Sequence, residues 1–317
     1  MPKVSVCIPV YGVEKYIEQC VRSLFGQTLD SMEYVFVDDC SPDSSIAVMQ
    51  RVLEEFPNRK EQVKIIRHEV NQGLVAARNH GITASTGDYI IHCDSDDWVD
   101  LDFYEKMYKR AVETDADVVC SPYRNTYGEM FDTVVPYVCD DVYEYVKKSG
   151  CHLYHLWSKL YKREIALNQT LYCPETINVS EDILRNIQML DLCKKISFVS
   201  GVYYYYRRNV SSSYTYEFKE QNFLNEKETC DILLQKYGDK YSMICRNRIH
   251  IILVRALRFL HKTPSLEKLF REEWAKIPFL TKVKIFLKEK SWKAKVALLS
   301  AIFSVNLTIS FLRRVLN

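Results

Sequence analysis

A chain of 317 residues is long enough for two domains, or for one large α/β domain with an extension, and it can bury a substantial core. Its formal net charge of +2 argues neither for nor against a polyanionic partner, but the charge is unevenly spread: from Arg271 onward ten Lys or Arg stand against three Glu, a local +7 that leaves −5 on the rest. The eleven cysteines are odd in number and form no C-x-x-C pair, which argues against a disulfide framework or a zinc knuckle, and with no secretory signal expected at the N-terminus they read as reduced thiols in the cytoplasm.

Lys3 to Tyr11 reads as a buried strand, and Val13, Ile17, Val21 and Leu24 then recur at helical spacing. A second strand, Glu33 to Val37, ends in Asp38 and Asp39. Ser41, Pro42 and Asp43 supply an N-cap, a first-turn proline and a first-turn acid for a helix that turns Val48, Met49, Val52, Leu53 and Phe56 inward. Val63 to Arg67 is a third strand, Gly73 to Ala84 a helix, and Tyr89 to Cys93 a fourth strand. This alternation implies a mainly parallel sheet.

The fourth strand stops abruptly in Asp94, Asp96 and Asp97. Ligands of open α/β sheets bind beyond the carboxyl ends of their strands. The spacing Asp94-x-Asp96 suits a hard divalent cation, and Mg2+ tends to take one or two carboxylates plus substrate phosphates. A metal-bridged nucleotide site is one reading. A turn leading into an acidic helix start is the other, since Asp is favoured in both places.

Phe103, Met107 and Ala111 mark another helix, and Asp117 to Ser121 a further strand. Residues 122–150 are rich in Tyr, Val and acid without a clear register, which suits a variable region over a cleft. A helix follows from Ser180, with Ile183, Ile187 and Leu190 on one face, and then a strand from Ile196 to Tyr206 that leads into Arg207 and Arg208. From Phe218 the pattern is helical, through Leu224, Ile232 and Leu233 and later Ile249, Ile252, Ala256 and Leu260. Six lysines between Lys282 and Lys295 precede the apolar stretch Val296 to Leu312, too short and too polar for a confident membrane span. It reads as a basic amphipathic anchor lying in the membrane surface, against a helix packed on the protein's own core.

Side by side, VSVCIPVYGVEKYIEQCVRSLFGQT, YVFVDDCSPDSS and NQGLVAARNHGITASTGDYIIHCDSDDWV in residues 4–121 strongly resemble the family 2 glycosyltransferases of the GT-A fold. EDILRNIQML and YYYYRRNVSSSY look like the second half of the family's bacterial cell-surface polysaccharide enzymes. The resemblance implies residues 1–216 as the GT-A domain, with a nucleotide-sugar half (1–121) and an acceptor half (122–216). Residues 217–317 are then a helical extension whose end, about 280–317, is the basic tail. It also implies inverting transfer from a nucleotide-diphosphate sugar to a saccharide, with a divalent metal, Mn2+ or Mg2+, on the diphosphate. A lipid-linked acceptor at the inner face of the cytoplasmic membrane follows from the tail, and no nucleic-acid partner is expected.

Residue by residue, Pro9, Tyr11 and Asp39 resemble those that hold the nucleobase. Asp39 can accept from a ring N–H, of uracil first, or of guanine. Arg78 resembles an arginine lining the nucleotide site, with an ion pair to Asp38 or a neighbouring acid as the alternative. Asp94 and Ser95 fall with the donor-binding residues, and Asp96, with Asp94, with the metal ligands; Asp97 orients its neighbours or caps a helix. Asp182 resembles the base and Glu181 a residue that binds acceptor or orients it, although Ser180-Glu181-Asp182 is equally a good helix start. Arg207 resembles an arginine that steadies the diphosphate. Trp157 and Lys159 resemble an acceptor-side motif, with a core Trp as the alternative. A dinucleotide enzyme would carry G-x-G-x-x-G after the first strand, where IPVYGVEKY stands instead. The remaining alternatives are a sugar nucleotidyltransferase and a non-catalytic sugar- or nucleotide-binding protein on the same fold.

Overall fold

The computed structural model describes residues 2–208, 219–257, 259, 264–288, 295, 298 and 301. The chain divides into two compact units, Met1–Ser211 and Ser212–Asn317. Eleven strands run through the described residues: β1 (Val4–Val10), β2 (Met32–Asp38), β3 (Val63–Arg67), β4 (Tyr89–His92), β5 (Trp98–Val99), β6 (Val118–Cys120), β7 (Tyr123–Tyr127), β8 (Met130–Val134), β9 (Lys159–Lys162), β10 (Ile196–Phe198) and β11 (Tyr204–Arg207). The helices of the first unit are α1 (Ile17–Phe25), α2 (Ser45–Leu53), α3 (Leu74–Ala84), α4 (Phe103–Thr114), α5 (Val142–Lys148), α6 (Arg163–Ala166) and α7 (Glu181–Leu192).

Seven strands form the main sheet in the order β10-β6-β9-β4-β1-β2-β3. All are parallel to their neighbours except β9, which runs antiparallel to both β4 and β6. The first strand is buried along its whole length, which explains why it reads as a continuous apolar run rather than an alternating one. Each fully buried Val or Ile there contributes about 1.5–3 kcal/mol. Strand order reverses at β1, flanked by β2 on one side and β4 on the other, so the carboxyl ends of these three strands frame a crevice.

A smaller sheet, β5-β11-β7-β8, contains the part of the chain without a readable register. β7 and β8 make a hairpin around Gly128, whose φ of +66° places it in the left-handed region, and α5 follows. The expected single strand from Ile196 to Tyr206 is two: β10 joins the main sheet and β11 the small one, separated by a bend with Gly201 at φ +72°. A second correction concerns the helix after β2. It begins at Ser45, not at Ser41, because the Asp43 carboxylate accepts from the Ser45 N–H while the Ser41 hydroxyl accepts from the Gly12 N–H.

The second unit consists of α8 (Glu220–Tyr237), α9 (Ser242–Leu257), α10 (Pro264–Lys276) and α11 (Phe279–Lys288). Phe223, Leu253, Leu257, Phe270 and Trp274 fill its core, together with Leu298 and Ala301. These two are the described residues of the apolar stretch Val296 to Leu312, and they pack inward; the rest of that stretch, with Lys290, Lys293, Phe218 and Leu260, lies outside the described residues. No helix among the described residues is long and apolar enough to cross a membrane.

The turn that leads into β4 is locked by the buried Glu33. Its carboxylate accepts from the Ser5 hydroxyl, from the Thr86 N–H at 2.7 Å and from the Thr86 hydroxyl at 2.8 Å, and pairs with Lys64 at 2.6 Å. Gly87 completes the turn by donating to Ser5 Oγ, and a Cβ there would meet Ser5 Oγ at 2.7 Å and Ser5 N at 2.8 Å. Backbone on that side cannot yield. Gly87→Ala is therefore expected to destabilise the fold by about 1–3 kcal/mol, measured as a shift in urea midpoint at constant m-value.

Candidate active site

The acidic turn lies between the two sheets, since β4 belongs to one and β5, which starts at Trp98, to the other. Asp97 is its fixed member. The side chain is fully buried, and it accepts from the Tyr204 hydroxyl and from the Arg207 N–H, both at 2.7 Å. Tyr204 Oη in turn accepts from the Asp94 N–H at 3.0 Å, so β11 grips the turn from two sides. Burial, with Asp96 and Asp94 nearby, pushes the Asp97 carboxyl up from its ordinary value.

Asp94 and Asp96 differ from it. Asp94 is partly exposed and its Oδ1 pairs with Arg78 at 2.8 Å. Asp96, also partly exposed, takes part in none of the ion pairs between described residues, and burial together with the Asp94 carboxylate pushes it up to about 6. Arg207 approaches the same turn: its Nε donates to the Asp96 carbonyl at 2.9 Å and its guanidinium lies 4.7 Å from the Trp98 ring centre and 5.1 Å from that of Tyr16. Ser95 is buried within the turn.

Arg78 joins this turn to the start of α7. It stands on α3, almost wholly buried, with Nη2 on Asp94 and Nη1 in a short contact with Glu181. Burial opposes its charge, but the two carboxylates hold it firmly protonated. It pairs with these acids rather than with Asp38, whose Oδ1 accepts from the Ser41 N–H. Glu181, equally enclosed, is pushed up by burial against the pull of Arg78. Asp182 beside it is only half-buried, and its Oδ1 accepts from the Ile183 N–H at 2.8 Å. Ser180, the residue before the helix, has φ +73°, and Cys40, the residue after Asp39, has φ +58°. A non-glycine residue held there costs about 1–3 kcal/mol, and such strain gathers at functional sites.

On the far side of the crevice, Pro9 is buried in β1 and Tyr11 is 49% exposed at its mouth. Asp39 is buried, and most of its accepting capacity is taken. Oδ1 receives the Gln72 N–H and His68 Nδ1, both at 2.7 Å, and Oδ2 the Gly73 N–H at 2.8 Å. It thus caps the loop that enters α3, where Gly73 needs its φ of +91° and has Asn178 Oδ1 within 3.1 Å of where a Cβ would be.

Trp157 and Lys159 are both buried, as the core alternative for the Trp has it. The indole is buried between two parallel rings, His155 at 4.3 Å and Tyr204 at 4.0 Å between centres, so neither face is open to a sugar. Lys159 is fully buried and donates to the carbonyls of His152 and His155 and to Ser158 Oγ, while burial lowers it to about 8. Both hold the loop 152–158 in shape. His152, lowered to about 3 by burial and Lys159, is likewise internal, between the Tyr145 hydroxyl and the Ser121 carbonyl. Sequence reasoning missed Tyr204: four tyrosines in a row gave no sign of which one reaches the acids, although the strand period brings Tyr204 and Tyr206 to one face.

A mainly parallel sheet with an acidic turn at its switch point and helices after it is the GT-A glycosyltransferase architecture. The profile of glycosyl transferase family 2 matches residues 5–187, and the chain belongs to that family. The uncharacterized glycosyltransferase EpsJ of Bacillus subtilis is 27% identical over 86% of this chain and 83% of its own length. S. aureus TarS residues 1–349, solved in complex with UDP-GlcNAc, superposes with a TM-score of 0.69 at 20% identity, over 98% of this chain and 90% of that one. The mannosyltransferase PcManGT of Pyrobaculum calidifontis, solved with GDP-Man and Mn2+, gives 0.58 at 16% identity over 96% and 87%. At these identities the structures show a shared fold.

Tyr204→Phe removes the one hydroxyl that serves both Asp97 and the Asp94 N–H. Leaving a buried carboxylate short of a donor is expected to cost about 1–3 kcal/mol, read from the urea midpoint. A midpoint equal to the parent's would show that Asp97 needs no such donor.

Proposed function

We propose that the protein moves a sugar, with inversion, from a nucleotide-diphosphate donor, a UDP-sugar, to a hydroxyl of a lipid-linked saccharide in the assembly of a surface polysaccharide. The observation that carries this reading is the Arg78 bridge, which ties the acidic turn of the donor half to the first turn of α7. The uridine nucleotide bound by TarS supports the donor class, and Mn2+ in the mannosyltransferase supports a divalent metal.

The donor set fits such an ion. Asp94 and Asp96 offer hard oxygen ligands, Asp96 is an anion made costly by its surroundings, and no cluster of three or more His, Cys, Asp or Glu able to hold a metal occurs among the described residues. Two carboxylates with diphosphate oxygens completing the shell match Mg2+ or Mn2+ in that setting. Held by Asp94 and Asp96, such an ion would supply Lewis-acid stabilisation of charge growing on the departing diphosphate. Arg207 adds guanidinium donors on the same side. Pro9, Tyr11 and Asp39 take the nucleobase, with Ser95 beside the donor. Asp182 accepts the acceptor hydroxyl's proton as the new C–O bond forms and the bond to diphosphate breaks. Glu181, held by Arg78, orients it.

Association with the inner membrane face is assigned to α11. Phe279, Leu280 and Leu287 are exposed on it beside Lys282 and Lys284, a combination suited to an anionic lipid surface. Eleven free cysteines are in keeping with a cytoplasmic setting.

Hydrolysis of a panel of nucleotide sugars with Mn2+ tests the donor: release of UDP from a UDP-sugar is expected, and an absence of turnover or binding with every donor would leave the non-catalytic reading. Pyrophosphate release from a nucleoside triphosphate and sugar phosphate would favour the nucleotidyltransferase instead. With acceptor, Asp182→Asn should lower kcat about 10²- to 10⁴-fold at unchanged donor KM. Asp96→Ala should fold and lose transfer even at saturating donor. Leu280→Glu with Leu287→Glu should abolish flotation with phosphatidylglycerol vesicles at unchanged melting temperature, and flotation equal to the parent's would remove α11 from the contact.

A further inference from the structure

Asp39 is held by more than the loop it caps. His68 Nδ1 lies 2.7 Å from Asp39 Oδ1, and His68 Nε2 lies 2.7 Å from His80 Nδ1, with the two rings edge to face at 4.9 Å. His68 is buried, whereas His80 is exposed on α3. The three side chains form a line from the crevice to solvent. A carboxylate only accepts, so Nδ1 of His68 carries the hydrogen, and in a neutral ring its Nε2 must then accept from His80. The carboxylate thereby fixes the tautomer of the first ring, and the first ring that of the second, so His80 holds His68 from behind.

An ionised carboxylate has about four accepting positions. Three donors occupy three of them: His68 and the Gln72 N–H on Oδ1, and the Gly73 N–H on Oδ2. The last lies on Oδ2. Its direction is set because the carboxylate cannot rotate without breaking the His68 contact.

We propose that His68, backed by His80, is the positioning residue that makes Asp39 a fixed, acceptor-only contact, and that this selects a nucleobase presenting a ring N–H, as uracil does, over cytosine, whose ring nitrogen is itself an acceptor. The proposal rests on the reading of Asp39 as the nucleobase residue. His68 touches neither substrate nor metal in this scheme. It acts by removing the carboxylate's freedom and by supplying a charge-assisted hydrogen bond.

The test is titration calorimetry of the full chain with UDP and with CDP, in Mn2+. The parent should bind UDP more tightly than CDP. His68→Leu should weaken UDP about tenfold, the scale of one hydrogen bond to a charged group, and narrow the UDP-to-CDP ratio, with donor KM rising more than kcat falls. His68→Asn, whose amide can donate from near the Nδ1 position, should restore both. Unchanged UDP affinity and ratio in His68→Leu would overturn the proposal. So would His68→Asn behaving like His68→Leu while remaining folded. If the leucine variant fails to fold, histidine ¹⁵N shifts of the parent decide: a proton on Nδ1 of His68 is required, and a bare Nδ1 refutes it. Asp39→Asn separates the two layers. If it weakens UDP while His68→Leu does not, the positioning role falls and the nucleobase reading stands; if it leaves UDP affinity unaltered, both fall.

Discussion

One buried guanidinium holds the crevice together. Arg78 faces Asp94 on one side and Glu181 on the other, and these two acids come from parts of the chain 87 residues apart. A buried cation with two carboxylate partners is tolerable in a way that either lone carboxylate would not be, because desolvating an unpaired charge costs several kcal/mol. The arrangement also leaves Arg78 oversupplied with negative charge. Asp94 is therefore an acid with capacity to spare, and Asp96, two residues on, has no cation among the ion pairs of the described residues. Arg207 approaches Asp96 and offsets part of its charge, and the proposed metal would offset more.

The small sheet is what makes the turn rigid enough for this to matter. Without β11, the three aspartates would lie on a loop free to move apart and relieve their repulsion. Tyr204 and the Arg207 N–H instead clamp Asp97 in place, and the stack of Tyr204, Trp157 and His155 stops the tyrosine from moving. Trp157 thus acts on the turn through Tyr204, by fixing the hydroxyl that fixes the acids. Arg207 reaches the site through the same strand, so that positive charge is delivered to the turn by the element that restrains it.

The sheet was legible because β1, β2 and β4 are buried on both faces, and continuous apolar runs between helical patterns have few other readings. The acids were legible by their place at strand ends. Three things were not. The break between β10 and β11 hides in an aromatic-rich run where period 2 and burial agree across a bend, so only Gly201 marks it. Trp157 and Lys159 sit in a segment whose composition is the same whether it meets a sugar or the core, since burial by tertiary neighbours is not a local property. The partners of Asp39 come from His68, Gln72 and Gly73, and nothing in the spacing of those residues says that a carboxylate 29 or more positions earlier will gather their donors.

Glu181 and Asp182 show how one helix start divides labour between adjacent acids. Successive residues point about 100° apart around a helix axis, and Arg78 hydrogen-bonds Glu181 while it feels Asp182 as a nearby charge. Glu181 faces α3 and is taken by Arg78; Asp182 is half-buried, with Oδ1 accepting from the Ile183 N–H, within the field of the first helical turn, which favours an anion. Of the pair, Glu181 is locked to a buried guanidinium and anchors α7 at the crevice, while Asp182 is the more exposed, in keeping with its proposed role as the base.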